Sequence, residues 1–366
     1  MTRFVRVNKF CLCYYFSFIY CFVACGQSDS LPKSILRIGV QTHYGSIFAH
    51  SPEVENTSGS YPWGIQVEAN WQKISQKVWD NCLCYPKSGI LFSYYNYNNA
   101  ILGHSVQLSY FLEPTFKLTS KIQFSLRGII GLSYLTNPFD SLKNPYNRSY
   151  SLPISAYLTL ATGLQMHFND FWQIQVQANY QHISNGGIKD PNKGINWITA
   201  SLGVLYTLNP QSIPHRERKP FERNKHIEKE LIIFLSNKGA GVGQKSRFMI
   251  LGGGFQIGKQ ISRLNALNIG TEAYWDGALA EMLRQQNKEG DAFRWALLGG
   301  HQFVLGKFRF GQQVGIYLYN NNPFFHWWYH RWGLIYSPKG TWAVGFNMKA
   351  HKHIANFLDL RLVHRF

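Results

Sequence analysis

An all-β chain, folded as an antiparallel barrel that spans an outer membrane, is what this sequence predicts. Three observations lead there. First, segments of strict alternation recur. Trp63, Ile65, Val67, Ala69 and Trp71 interleave with Gly64, Gln66, Glu68, Asn70 and Gln72, and Trp172, Ile174, Val176, Ala178 and Tyr180 with Gln173, Gln175, Gln177, Asn179 and Gln181. A strand turns successive side chains to opposite faces, so each segment has one apolar face and one amide face. Second, no apolar run after residue 26 reaches the length of about eighteen residues that a spanning helix needs. Third, aromatic residues make up 16% of the chain and charged residues only 15%, and the charges keep off the apolar faces. A Lys or Arg there would cost about 2–4 kcal/mol at the bilayer midplane. Inside lipid only helices and closed barrels satisfy their own backbone groups, and the period of two selects the barrel.

The start of the chain sets the compartment. Arg3, Arg6 and Lys9 precede an almost wholly apolar stretch from Phe10 to Cys25, and Ala24, Cys25 and Gly26 are small. This is the layout of a signal peptide over residues 1–26, and it predicts export to the outer membrane of a Gram-negative bacterium. Phe22 to Cys25 also approximates a lipobox, which would place a lipid on Cys25; Phe at its first position fits poorly, and simple cleavage is the expectation. Cys11, Cys13, Cys21 and Cys25 all fall in this segment. Cys82 and Cys84 remain, readable as a small-loop disulfide or, more simply, as two loop thiols. They are too few for a zinc site, and neither a metal nor a cofactor is expected. Lys and Arg number 37 against 19 for Asp and Glu, a net charge of +18 that favours an anionic partner. Lipopolysaccharide or an anionic lipid surface fits better than nucleic acid, because neither a compact basic helix nor an aromatic RNA-binding signature is present.

The alternation marks about sixteen strands. They lie near residues 36–48, 62–73, 88–98, 103–113, 120–136, 154–168, 171–184, 195–208, 229–238, 246–259, 265–274, 291–304, 306–319, 327–337, 340–350 and 355–366. Threaded up and down, they leave short turns at 305–307 and 337–340 on one side and long segments at 137–153 and 275–290 on the other. Outer-membrane barrels have that asymmetry, with short periplasmic turns and long outer loops. The basic, proline-containing segment 209–228 is the exception, a long connection on the short-turn side that divides a first part, 27–208, from a second, 229–366. The chain ends on an alternating strand closed by Phe366. A terminal aromatic of this kind resembles the signal by which barrels are recognised for insertion, so the insertion machinery is an expected partner alongside membrane lipid. One barrel of about sixteen strands is the favoured architecture; an eight-stranded barrel followed by a second β unit is the alternative.

Chemistry concentrates at one strand end. His182 and Ser184 continue the apolar, lipid-facing parity of Tyr180. The next strand begins with Asn196, in phase with Ile198, Ala200 and Leu202, so Asn196 returns to the same face across a short glycine-containing turn. A base, a nucleophile and an orienting group at one rim are what acyl transfer needs. Asn185 and the backbone N–H of Gly186, just past the nucleophile, are the expected oxyanion hole. The plainer reading makes the same residues rim positions and turn chemistry. Elsewhere the signals are weaker. Gly239 to Ser246 nearly matches a phosphate-binding loop, but Gln244 stands where Gly is required and a strand follows. Gly252 to Gly254 reads as strand packing and His326 to Arg331 as an interfacial aromatic girdle; His351 and His353 could be ligands, but His351 shares the parity of Lys349 and reads more simply as a polar lumen residue.

The pattern His182-x-Ser184-Asn185, then Pro191-Asn192-x-Gly194, then a polar residue two positions on, resembles the lipid A 3-O-deacylase (PagL-type) family, often labelled acyloxyacyl hydrolase. The resemblance covers roughly residues 36–208, and the loop from Tyr97 to Gly103 also looks like a family segment. It implies an outer-membrane esterase that removes an ester-linked acyl chain from lipid A, with His182 as base, Ser184 as nucleophile, and Asn185 and Gly186 at the oxyanion. Asn196 stands where the family usually has Glu, and an amide orients an imidazole without offsetting its charge. Asp190 in the turn is the expected assisting acid. Residues 209–366 have no counterpart in short members of the family. A non-enzymatic barrel (porin, transporter or anchor) and an outer-membrane phospholipase are the rival readings.

Overall fold

The structure, a computed structural model, describes residues 34–221, 226–241, 246–324, 326–338, 340–352 and 354–366. The expected signal peptide, Cys25, His353 and the middle of the Gly239–Ser246 motif lie outside the described residues.

Period-two patterning becomes strand wherever it was read. The first barrel contains β1 (Ser34–Ile47), β2 (Trp63–Lys73), β3 (Lys87–Asn96), β4 (His104–Glu113), β6 (Ile122–Leu135), β7 (Ile154–His167), β8 (Trp172–Ser184) and β9 (Ile195–Thr207), with a three-residue strand β5 (Thr115–Lys117) hairpinned onto β6. The second contains β10 (Glu228–Gly239), β11 (Arg247–Gln260), β12 (Asn265–Asp276), β13 (Phe293–Leu305), β14 (Phe308–Tyr319), β15 (Trp328–Tyr336), β16 (Trp342–His351) and β17 (Ile354–Arg365). Neighbours are antiparallel throughout. In the first barrel β1 pairs with both β2 and β9, and β4 with β6; in the second, β10 pairs with β17. The favoured single barrel is therefore corrected to two closed barrels of eight strands each, the alternative architecture. The cause lies at β9. Its register runs along β1 from Arg37↔Thr207 to Ile47↔Trp197, so its second edge is taken and β10 has nothing to pair with there.

Outward and inward faces follow the sequence pattern. Ile65, Val67, Trp172, Val176 and Tyr180 are exposed, while Gln66, Glu68, Gln173, Gln177 and Asn179 are buried. Buried amides must find partners, and they find one another across the lumen: Gln41 Nε2 donates to Gln177 Oε1 at 3.0 Å and Gln173 Nε2 to Gln165 Oε1 at 2.7 Å. Arg127 sits among them, 2.7 Å from Glu68 and also paired with Glu113, which faces Lys87 at 3.6 Å. The second lumen repeats the device with Arg331, 2.6 Å from both Glu272 and Asp359. These interiors are filled largely by polar and charged side chains, and the second keeps a small cavity among Phe234, Gln256, Glu272, Gln313 and Arg361.

Two helices were invisible to alternation. Helix α1 (Gln76–Cys82) lies in the β2–β3 connection, and α2 (Gly277–Gln285) in the β12–β13 loop, capped by Asp276 accepting from the Leu279 N–H at 3.0 Å. Cys82 and Cys84 are joined by a disulfide at the end of α1, which replaces the simpler reading of two thiols. The segment between the barrels packs on α1: Trp79 Nε1 donates to the Glu217 carbonyl at 3.1 Å, and Arg216 Nε to the Tyr85 hydroxyl at 2.7 Å. It occupies the end where β1 starts and β9 finishes.

Arg127→Met is expected to strand two buried carboxylates and lower stability by about 3–5 kcal/mol. The check is the urea midpoint of unfolding in detergent micelles; an unchanged midpoint would mean that water reaches Glu68 and Glu113.

Candidate active site

The opposite end of the first barrel carries the chemistry. There β8 and β9 are neighbours, with His182 directly opposite Asn196 and Ile183 opposite Ile195. Ile183, Ile195 and Trp197 point inward and are buried. Trp197 stacks on Tyr157 with centroids 6.0 Å apart and meets Tyr95 and Tyr97 edge-on, each at 5.5 Å. Because these alternate residues are fixed inside, His182, Ser184 and Asn196 must stand outside, on rigid strand backbone.

Geometry makes a chain of them. His182 Nε2 is 3.0 Å from Ser184 Oγ, and His182 Nδ1 is 2.6 Å from Asn196 Oδ1. An amide oxygen only accepts, so Nδ1 carries the proton and the Nε2 lone pair faces the serine hydroxyl. Two further groups, which sequence pattern did not mark, hold Asn196. The Tyr180 hydroxyl donates to Oδ1 at 3.2 Å, and Asn196 Nδ2 lies 2.8 Å from His50 Nδ1. Tyr180 was readable as the outward residue one pleat before His182. His50 was not, because it comes from a loop 146 residues away in sequence.

The turn explains the rest of the motif. Asn192 Oδ1 accepts from the Asn185 N–H at 2.9 Å. The Asn185 side chain is spent within the turn, accepting from the N–H groups of Gly187 and Ile188, both at 3.0 Å, and donating to the Lys189 carbonyl at 2.7 Å. The expected oxyanion donor Asn185 is thus already committed on both its backbone and its amide. The Gly186 N–H, at φ +65°, makes no hydrogen bond among the described residues. Gly194 has φ +80°, and a Cβ there would lie 2.9 Å from His182 Cε1. Its N–H is held by the Ser149 carbonyl at 2.7 Å, from the β6–β7 loop. Asp190, the expected assisting acid, is exposed in the turn and does not reach His182, whose Nδ1 is taken by Asn196. Burial raises the Asp190 carboxyl, while the Lys193 and Arg247 charges pull it down.

The second barrel touches this turn. Arg247 of β11 donates to the carbonyls of Gly187 and Ile188, and a Cβ at Gly186 would sit 3.8 Å from Leu358 Cδ2 of β17. The weaker motifs resolve as packing. A Cβ at Gly252 would overlap the side chains of Phe234 and Tyr274. Tyr329 and Arg331 turn inward while Trp327 and Trp332 face out, and His330 Nε2 binds the Lys352 carbonyl. His351 is buried, 3.1 Å from the Tyr317 hydroxyl. Among the described residues no group of three His, Cys, Asp or Glu side chains could hold a metal.

Closed antiparallel barrels with apolar outer faces are the architecture of outer-membrane β-barrel proteins, and a serine–imidazole pair stands at the rim of the first. Comparison with known proteins narrows this. Residues 65–204 match the profile of lipid A 3-O-deacylase (PagL), and residues 227–366 that of the acyloxyacyl hydrolase C-terminal domain. The chain belongs to the PagL lipid A 3-O-deacylase family, whose members are ester hydrolases of the Gram-negative outer membrane. No curated protein matches it in sequence. Among solved structures it is similar to the Neisserial surface protein A, at 11% identity and a TM-score of 0.34 over 47% of this chain and 97% of that one. The N-terminal β-barrel domain of Pseudomonas aeruginosa OprF gives 12% and 0.27 over 47% and 97%. A mutant form of the Rhodopseudomonas blastica porin gives 8% and 0.17 over 91% and 100%.

Gly194→Ala is expected to push the His182 ring off Ser184 and cut kcat by about 100-fold or more, the scale of a misplacement of about 1 Å. Steady-state kinetics on purified protein checks it, with an unchanged rate counting against the contact.

Proposed function

We propose that this protein hydrolyses an ester-linked acyl chain of lipid A, with Ser184 as nucleophile and His182 as general base. The observation that carries the reading is the hydrogen-bonded chain Ser184–His182–Asn196 on the lipid-facing side of the rim. Serine is a weak nucleophile until a base removes its proton, and the Nε2 lone pair is aimed at that hydroxyl. Attack on the ester carbonyl forms a tetrahedral intermediate and leaves the proton on His182. The Gly186 N–H is the available donor to the oxyanion, where one such bond is typically worth about 10²–10³ in kcat. Collapse expels the sugar hydroxyl, which takes the proton back from His182. Water, deprotonated by the same imidazole, then releases the fatty acid from Ser184.

Asn196 holds the imidazole in the productive tautomer but leaves the imidazolium uncompensated, so the reaction is expected to run more slowly than with a carboxylate. Export by the signal segment, insertion by the barrel-insertion machinery and attraction of the lipid A phosphates by the basic excess complete the reading. The packed lumens disfavour a porin, because solute would have to displace the Gln41–Gln177 and Arg127–Glu68 bonds.

Ser184→Ala is expected to reduce fatty-acid release from lipid A by about three orders of magnitude or more. Mass spectrometry of the lipids of purified outer membranes reads it out. Intact deacylation in the variant would overturn the assignment, and lysophospholipid as the main product would point to a phospholipase.

A further inference from the structure

Replacing a carboxylate by an amide behind a catalytic histidine creates a problem of orientation. A carboxylate accepts through either oxygen. An amide has an accepting end and a donating end. Turned one way, Asn196 presents Oδ1 to His182, Nδ1 keeps its proton, and Nε2 is free to take the proton of Ser184. Turned the other way, it presents its NH₂, Nδ1 becomes the acceptor, the ring proton moves to Nε2, and the base is lost. Tyr180 chooses only weakly, since a hydroxyl swaps donor for acceptor by rotating, whereas an imidazole nitrogen swaps only by moving a ring proton. A group is needed that reads the far end of the amide.

We propose that His50 is that group, a positioning residue that fixes the Asn196 amide by accepting its Nδ2 proton, and so holds His182 in the tautomer able to act as base. The inference rests on the assignment of Ser184 and His182 above. His50 Nδ1 lies 2.8 Å from Asn196 Nδ2, while Asn196 Oδ1 lies 2.6 Å from His182 Nδ1. Asn196 is 7% exposed, so solvent offers its NH₂ little alternative. The placement of His50 is built in. Past Ile47, the last residue of β1, the Phe48 N–H donates to the Asn196 carbonyl at 2.8 Å, which leads the loop alongside Asn196. A 3₁₀ turn over Pro52–Thr57 follows, and its Glu53 binds Lys193 of the catalytic turn at 2.9 Å. That bond draws the Glu53 carboxyl down to about 2, so it is charged at neutral pH. His50 therefore belongs to a loop held at both ends against the site.

The test compares His50→Ala and His50→Gln in the full chain, each with Asn196 intact and with Asn196→Asp, assayed for fatty-acid release from lipid A in detergent micelles. With Asn196 intact, His50→Ala is expected to lower kcat by about 10- to 100-fold, as is typical for a group that orients another from behind, with little change in KM. His50→Gln, whose side-chain oxygen accepts the same proton, recovers most of that loss. In the Asn196→Asp background the carboxylate removes the need for orientation, and His50→Ala costs nothing further. An equal loss in both backgrounds, or none in either, overturns the proposal. A second readout follows the proton directly: NMR of isotope-labelled imidazole nitrogens, with the His182 signals identified by their disappearance in His182→Gln. The proton is expected on Nδ1 in the parent chain, and at least partly on Nε2 in His50→Ala. A tautomer that does not change on His50→Ala overturns the proposal even if the rate falls. A tautomer that shifts while no acyl chain leaves lipid A supports the positioning role and sinks the assigned reaction instead.

Discussion

Everything at the rim depends on what is packed beneath it. Trp197, wedged among Tyr95, Tyr97 and Tyr157, fixes the inward face of β9, and Ile183 and Ile195 fix the last pair of the β8–β9 ladder. A strand cannot turn one residue inward without turning its neighbours outward. The burial of these side chains is therefore also the placement of His182, Ser184 and Asn196. A one-residue slip of β8 against β9 would bury the imidazole and expose Ile183, so register and site geometry are the same constraint. Sites set on strands are held more tightly than sites on loops, and here the three side chains stand on strands while Gly194 and His50, which lie against them, come from loops.

The two lumens solve a second problem. A barrel with lipid outside must satisfy an interior of amides and charges without admitting a column of water. Arg127 between Glu68 and Glu113, and Arg331 between Glu272 and Asp359, do this with planar guanidinium groups that reach two carboxylates at once. Such clusters contribute little net stability over a well-packed apolar core, but breaking one partner is costly. They let each barrel satisfy its own interior, as its closed strand pairing satisfies its edges.

Much of this was legible in the sequence, and the reasons are physical. Alternation located the strands, and parity put Asn196 opposite His182. Alternation is silent about closure: sixteen strands drawn in order describe one ring or two equally well, and only the long-range pairing of β9 with β1 decides. It is silent too about α1 and α2, which are shorter than the period-two segments around them. Asn185 was expected as an oxyanion donor because sequence shows that an amide is present and not that it is engaged with Gly187, Ile188 and Lys189. Asp190 looked close because it is near in number. His50 is near only in space, brought there by the Phe48–Asn196 bond, and no local pattern carries that information.

The nearness of Leu358 to Gly186, and the bonds of Arg247 to the Gly187 and Ile188 carbonyls, bear on traffic. A lipid reaches a site on the flank of a barrel by lateral diffusion within its leaflet, not from bulk water. A single barrel can be approached from all around its circumference. Here a second eight-stranded barrel meets the turn through Arg247 and stands over one sector of that circumference. On the proposed reaction, substrate would come in from the open side, and the acyl chain that leaves would depart along it. On that reading the second barrel turns an isotropic search in the plane of the membrane into a directed one.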